Sequence, residues 1–330
     1  MLRGNFNTKL PLGAIMFVLL ATLWGGSFVA IEIGLHYFPP LLFAGLRYAV
    51  AGAIILGYAA VATDRWRPRA REEYLAVAVA GALVIAGYHA LLYLGELHVS
   101  GAVAAVVVSL SPVLTAGFAA LVLDERLPLG KGIGFALGVA GVVVVAGFDP
   151  TDAATASALG VGLVFLGGTC FALGAVLSRP LQADLPAAPL EGWAMVGGAG
   201  LLSAGGALRG ESLSAIHLTP TAVWSFLYLT LASGVVAFLL YFRLLDRIGP
   251  TRLNLVGYLE PVVATLLSWV LLGELIGPAT VGGFLAIFAG FAVLHRRELG
   301  QLAVGLRSRL RTDGEDDRNA WSGAVGPADD

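Results

Sequence analysis

The apolar positions of this chain run on without a break where a soluble helix or strand would alternate. Runs of about 20 mostly apolar residues, enough to cross a bilayer as a helix, recur with only short polar intervals between them. Ten such spans are expected, at roughly 11–35, 40–62, 73–94, 101–123, 130–148, 159–178, 189–208, 220–242, 251–272 and 278–295. Many junctions carry proline, glycine or charge, as at Pro39-Pro40, Pro128, Pro150, Pro186, Pro220, Pro250 and Pro278. Such residues disfavour carrying a helix across the boundary. Unbroken apolar runs also exclude the strand alternation of a membrane β-barrel. The pattern therefore predicts an all-α polytopic membrane protein with ten transmembrane helices. The first run is long for the apolar core of a secretory leader, and equivalent spans follow it, so a retained helix is expected.

Composition agrees with this class. Hydrophobic residues make up 58% of the 330 positions and charged residues 13%, with mean hydropathy +0.84, which is more apolar surface than a soluble domain can cover. Glycine is abundant at 44 residues, as close packing of membrane helices favours. Cys170 is the only cysteine, which excludes an intrachain disulfide and a cysteine-based metal cluster.

Net charge says less than its distribution. Arg3 and Lys9 precede the first span; Arg65, Arg67, Arg69 and Arg71 lie between the second and third. Arg126, Lys131, Arg179, Arg243, Arg247 and Arg252 occupy later alternate loops, and Arg296, Arg297, Arg307, Arg309, Arg311 and Arg318 the tail. On the other side only Arg209 is found. With ten spans all the basic loops fall on one side, which predicts cytoplasmic termini in a cell membrane. Residues 299–330 turn acidic and polar and are expected to be a disordered cytoplasmic tail. The short loops leave no room for a soluble domain. No P-loop, HExxH, GxSxG or Cys/His metal spacing occurs, so no ATP-driven pump, cofactor or metal is expected, and nothing points to nucleic acid.

The chain contains a duplication. SLSPVLTAGFAALVLDERLPLGKGIGF, from Ser109, aligns without a gap with YLEPVVATLLSWVLLGELIGPATVGGF, from Tyr258. At one constant offset Leu110 meets Leu259, Pro112 meets Pro261, Val113 meets Val262 and Glu125 meets Glu274. Gly134 likewise meets Gly283, Phe135 meets Phe284 and Gly141 meets Gly290. A weaker echo links Gly25-Gly26-Ser27 with Gly167-Gly168-Thr169. The offset spans five helices. Five is odd, so the second copy enters the membrane the other way up: two inverted-topology five-helix repeats, the architecture of many secondary transporters.

Specific residues sharpen this into a resemblance. Leu23-Trp24-Gly25, Phe43-Ala44-Gly45-Leu46-Arg47 and the two Pro-to-Glu blocks, Pro112 to Glu125 and Pro261 to Glu274, resemble the EamA family of the drug/metabolite transporter superfamily. The resemblance covers both repeats, 11–148 and 159–295, flanked by the short N-terminus 1–10. It implies ten helices, cytoplasmic termini and a central cavity between the repeats. It also implies a small-molecule substrate drawn from amino acids, other metabolites or drugs. The chain departs from symmetry at one position: Ser111 stands where the second block has Glu260.

Glu260 is the first candidate for substrate binding or coupling. Counted from the start of its span it lies roughly 14 Å into the membrane, near the midplane, where an ionisable side chain is costly and points to function. It can hold a substrate ammonium or a coupling proton, or pair with Arg47 as a structural contact. Arg47 in turn reads as a counter-ion, a snorkelling side chain or an anion clamp. Pro112 and Pro261 lack an N–H and free the carbonyls of Val108 and Gly257, which can serve as ligands where the backbone lines a cavity. His89, Tyr93 and Glu96 share one helical face. Trp24 and Phe28, and Asn254 and Tyr258, are i, i+4 pairs; Glu260 points roughly 160° away from Tyr258 around an ideal helix. Glu32 reads as a solvated mouth residue, and Glu125 and Glu274 as paired features of the two repeats.

These features predict a secondary transporter working by alternating access, an exporter of amino acids or related amphipathic metabolites, with protons as a candidate coupling ion. A membrane enzyme using Glu260 and His89, or a passive channel or scaffold, is the competing expectation. Self-association is left open.

Overall fold

The structure is a computed structural model and describes residues 12–123, 129–145, 156–181, 184–253 and 255–294. Those residues form helical rods joined by short connections. In chain order they are α1 (Leu12–Leu35), α2 (Pro40–Ala62), α3 (Arg71–Gly95), α4 (Gly101–Val122) and α5 (Leu129–Val145). Then come α6 (Ala156–Leu177), α7 (Ala187–Leu208), α8 (220–253), α9 (Val256–Leu272) and α10 (Pro278–Leu294). No strand occurs among the described residues. Six helices, α1 to α4, α6 and α8, are long and apolar enough to cross a membrane; α5, α9 and α10 contribute shorter apolar segments. Each expected span overlaps one of these rods, which is compatible with the expected count, though α8 runs on to Leu253 and α9 begins only at Val256. The tail and the N-terminal residues lie outside the described residues, as do Glu125 and Asn254.

Local sequence explains where the rods start and stop. Pro39-Pro40 opens α2, and Thr219 caps α8 by accepting from Ala222 N at 3.2 Å, with Pro220 next in line. Gly273 ends α9 at φ 73°, the left-handed conformation that glycine adopts without strain. Carboxylates from elsewhere supply further caps. Glu211, beyond α7, accepts from Leu41 N and Leu42 N at 3.3 and 2.9 Å. Glu32 of α1 accepts from Gly101 N at 2.7 Å. Glu32 is therefore a cap for α4 and not merely a solvated mouth residue: a freed amide at a helix start attracts a carboxylate. The basic 63–70 connection is also tied down. Arg65 pairs with Glu73, whose other oxygen accepts from Arg69 N at 2.7 Å, and Trp66 stacks on Trp193 with ring centroids 6.2 Å apart.

Two irregularities recur in both halves. The third rod, α3, is π-helical over Ala80–Gly87, and the eighth, α8, is π-helical over Tyr228–Val236. Their separation equals the duplication offset to within one residue. In α4 the helix breaks at 109–110 just before Pro112, whereas α9 runs through Pro261.

The packing is compatible with the inverted repeat. α5 lies against α10 and α2 against α7, and α1 touches α9 as α4 touches α6. α2 touches α8 as α3 touches α7, and α1 touches α8 as α3 touches α6. Exchanging the two halves leaves this set unchanged. The α5–α10 crossing shows it at residue level. A Cβ on Gly283 would lie 2.6 Å from Gly141 O, and one on Gly290 only 2.5 Å from Gly134 O. The crossing is antiparallel and self-reciprocal, because the duplication equates Gly134 with Gly283 and Gly141 with Gly290. Such close approach matters because in lipid the association of helices depends on van der Waals packing. Two buried apolar clusters result. One runs through Phe28, Phe38, Phe43 and Tyr93; the other joins Met16 and Leu20 to Leu244, Leu253 and Val256.

Gly141→Ala and Gly283→Ala should each destabilise the protein by about 1–3 kcal/mol, the range for overpacking. Gly282, whose added Cβ would meet nothing within 4 Å, is the control: Gly282→Ala should leave stability unchanged or raise it. Thermal unfolding of the three purified variants in detergent checks both statements.

Candidate functional site

Between the two clusters lies a cavity of about 330 Å³. Its wall draws on α1 to α4 from the first half and α6 to α9 from the second; α5 and α10 stay outside it. The wall is largely aromatic. Trp24 packs against Phe238 and Tyr241, each with ring centroids 5.4 Å away, and Tyr88 packs edge-on against Phe171 at the same spacing. Its charged groups are Arg47, Glu191 and Glu260.

Arg47 is 3% exposed and is held from several sides. Nη1 donates to Leu229 O at 3.4 Å, and Nη2 donates to Tyr48 Oη at 2.8 Å. The guanidinium also lies 4.1 Å from the Tyr48 ring centroid and 5.5 Å from that of Tyr93, both within cation–π range. The chain of bonds continues. Tyr48 Oη sits 2.6 Å from His89 Nε2, and His89 Nδ1 sits 2.9 Å from Ile85 O. A carbonyl can only accept, so Nδ1 carries a proton; Tyr48, already accepting from Arg47, donates to Nε2. This assigns His89 the neutral Nδ1–H tautomer.

The π-helical segments supply the acceptors in this network. Leu229 O takes Arg47, Ile85 O takes His89, and Ser233 O takes Trp24 Nε1 at 3.3 Å. All three acceptors thus lie within the two π-helical segments, irregularities of a kind that recurs at functional sites.

Glu260 is half-buried on the cavity wall, and among the described residues it forms neither an ion pair nor a side-chain hydrogen bond. It does not pair with Arg47. Glu191, in the second turn of α7, also faces the cavity, and its Oε1 is sealed from solvent without a partner. Glu191 lies within electrostatic reach of Tyr48 and Tyr241, and Glu260 within reach of Tyr88.

The candidates named from sequence separate cleanly. Trp24, Arg47, His89, Pro112 and Glu260 line one cavity, as do Val108 and Gly257, whose carbonyls the prolines free. Tyr93 is fully buried behind the wall and forms the second aromatic face for Arg47. Tyr258 points the other way and packs on Phe288 at 5.9 Å, as the angular offset from Glu260 requires. Asn254 lies outside the described residues. Pro261 is buried within α9 and off the wall.

Sequence reasoning missed Glu191, Tyr48, Tyr88 and Tyr241. Glu191 is near a span end, where a carboxylate reads as solvated. Tyr48 adjoins Arg47 in sequence, and neighbouring helical residues normally diverge by about 100°. Among the described residues no group of three His, Cys, Asp or Glu side chains is placed to hold a metal. The constellation offers charge recognition and aromatic contact, with no activated nucleophile.

Known proteins share this organisation. The model of the EamA-like transporter family matches twice, over residues 11–147 and 158–296. A probable terminal-alkyne amino-acid exporter of Streptantibioticus cattleyicolor is 30% identical over 300 residues, 89% of this chain and 96% of the relative. An uncharacterized transporter of Archaeoglobus fulgidus is 27% identical over 288 residues, 86% and 98% of the two chains. The uncharacterized inner membrane transporter YedA of Escherichia coli is 28% identical over 275 residues, 82% and 86% of the two. One solved crystal structure superimposes with TM-score 0.60 at 22% identity, over 86% of this chain and 96% of that one, and shares the fold. With both halves matched and a cavity between them, the chain is a multi-pass membrane protein and belongs to the EamA-like transporter family.

Proposed function

We propose that the protein is a secondary transporter that exports small amphipathic metabolites, amino acids or close relatives, by alternating access. One observation carries this: an aromatic-lined cavity between the two halves holds one buried cation, Arg47, and two carboxylates, Glu191 and Glu260, that form no ion pair among the described residues. Such a wall suits a solute with an apolar body and charged ends. The printed name of the Streptantibioticus relative, an amino-acid exporter, supports the same class.

The reading has three parts. The two five-helix repeats are related by an axis in the membrane plane, and their rocking opens the cavity to each side in turn. The reciprocal α5–α10 crossing and the matching π segments support such an axis. Both termini face the cytoplasm, as the basic loops require. Glu260 exchanges between a substrate ammonium and a coupling proton. It suits that role because it faces the cavity and answers to no protein donor. The carbonyls of Val108 and Gly257 add neutral acceptors on the same wall.

Cells with and without the protein, loaded with an isotopically labelled amino-acid mixture, test the transport reading. Faster efflux is expected with the protein, and Glu260→Gln should slow it by at least about tenfold, since 1.4 kcal/mol of lost interaction is already a factor of ten. Efflux at the normal rate from the variant would remove Glu260 from the mechanism.

Arg47→Met should cost stability as well as transport. It deletes two charge-assisted hydrogen bonds, each worth roughly 1.5–3 kcal/mol, and leaves Leu229 O and Tyr48 without their donor. A lower thermal midpoint in detergent is expected, partly recovered in Arg47→Lys.

A further inference from the structure

The charges of the cavity wall do not balance. Arg47 contributes one positive charge; Glu191 and Glu260 contribute two negative ones when ionised. His89 adds none, because its Nδ1–H is given to Ile85 O and its Nε2 accepts from Tyr48. No carboxylate stands within ion-pair distance of Arg47 among the described residues, and its Nε is buried without a partner. Glu191 Oε1 is likewise buried and unanswered. Unpaired charge in a low-dielectric interior is destabilising by several kcal/mol, so the occupant that removes most of this cost is the one whose charges complement all three groups. An ordinary zwitterion answers only two of them.

We infer that the cavity is built for an amino acid bearing a second positive charge on its side chain, with Arg47 facing the carboxylate and Glu191 and Glu260 facing the two cations. The inference rests on the transport reading above and narrows its substrate class. The placement of the groups fits. The two carboxylates sit on different helices, Glu191 on α7 and Glu260 on α9, and both line the cavity. A molecule with two ammonium groups has a separate carboxylate for each. Aromatic side chains on the same wall, Trp24 and Tyr241 among them, attract alkylammonium groups as well as methylene chains. A volume of about 330 Å³ is at the small end for ligand pockets, which suits a single amino acid.

Three labelled probes separate the charges. L-lysine carries all three, L-norleucine lacks the side-chain cation, and cadaverine lacks the carboxylate. Each is offered to the purified full chain in proteoliposomes. Lysine should move at least about tenfold faster than either analogue at equal concentration. Glu191→Gln should bring the lysine-to-norleucine ratio near one, and Glu191→Asp should restore it in part. The wild-type ratio decides the matter even where a Glu191 variant does not fold. A wild-type ratio near one, or norleucine moving alone, would overturn the charge assignment while leaving the transport reading intact. Cadaverine keeping pace with lysine would overturn the carboxylate station at Arg47. A full lysine preference in Glu191→Gln would overturn the role of Glu191. Movement of none of the three would overturn this inference, and efflux of the labelled amino-acid mixture then decides separately whether the transport reading falls with it.

Discussion

Lipid offers no water to a stranded polar group, so each polar group in the bundle must find its partner inside the protein. The π-helical segments are where this constraint is met. Within them Ile85 O, Leu229 O and Ser233 O bond to His89, Arg47 and Trp24. The guanidinium could not otherwise sit at 3% exposure between two tyrosine rings without a counter-ion. Arg47 in turn orients Tyr48, and Tyr48 sets the tautomer of His89. One backbone irregularity in each half thus organises the polar wall of the cavity, and each lies at the corresponding place in its repeat.

With Arg47, His89 and Trp24 provided for, the groups left without partners become informative. Glu191 and Glu260 face the same space; among the described residues Glu191 Oε1 is buried without a partner, and Glu260 makes no side-chain hydrogen bond. A structural role would predict a partner close by, as Glu73 has in Arg65 and Glu32 has in Gly101 N. Those two carboxylates show how the chain treats acids that serve its architecture. The two in the cavity lack such a donor among the described residues, as does the buried Glu96, and on the proposed reading the cavity pair answers to charge from outside the protein.

Much of this was legible in the sequence because membrane folding simplifies the code. Continuous apolar runs located most of the rods to within a few residues, α8 running past its expected end, and the Pro, Glu and Gly matches located the duplication. Glu260, Arg47, His89 and Trp24 were singled out because a polar or large aromatic side chain is conspicuous in an apolar span, and they share one cavity. What stayed hidden depended on geometry that a regular helix does not have. The π segments carry no compositional mark, so the acceptors for Arg47 and Trp24 could not be foreseen. Glu191 was masked by its place near a span end. Tyr93 and Tyr258 have the right chemistry but the wrong azimuth: one lies behind the wall, the other faces Phe288. Glu32 became a cap only because the fold brings α1 to the start of α4.

The duplicated frame and the unduplicated chemistry also bear on each other. Ser111 and Glu260 occupy equivalent positions and face the same cavity, as do Val108 and Gly257. Gly25 packs its backbone on α9 at Glu260, and Gly168 packs on α4 at Ser111, with an added Cβ falling 2.7 Å from Glu260 O and 3.2 Å from Ser111 Oγ. A glycine of the first or sixth rod thus faces each position, one at its backbone and the other at its side chain. Two carboxylates at equivalent depth would repel each other across a narrow cavity and double the cost of burial. A serine on one side keeps a hydroxyl without that cost. The second negative charge, Glu191, comes instead from α7. Under the proposed mechanism, separating the two acids in this way would keep a near-symmetric framework able to exchange its halves while the charge it presents stays directional. A solute with unlike ends would then be gripped in one orientation by a frame that is nearly the same from both sides.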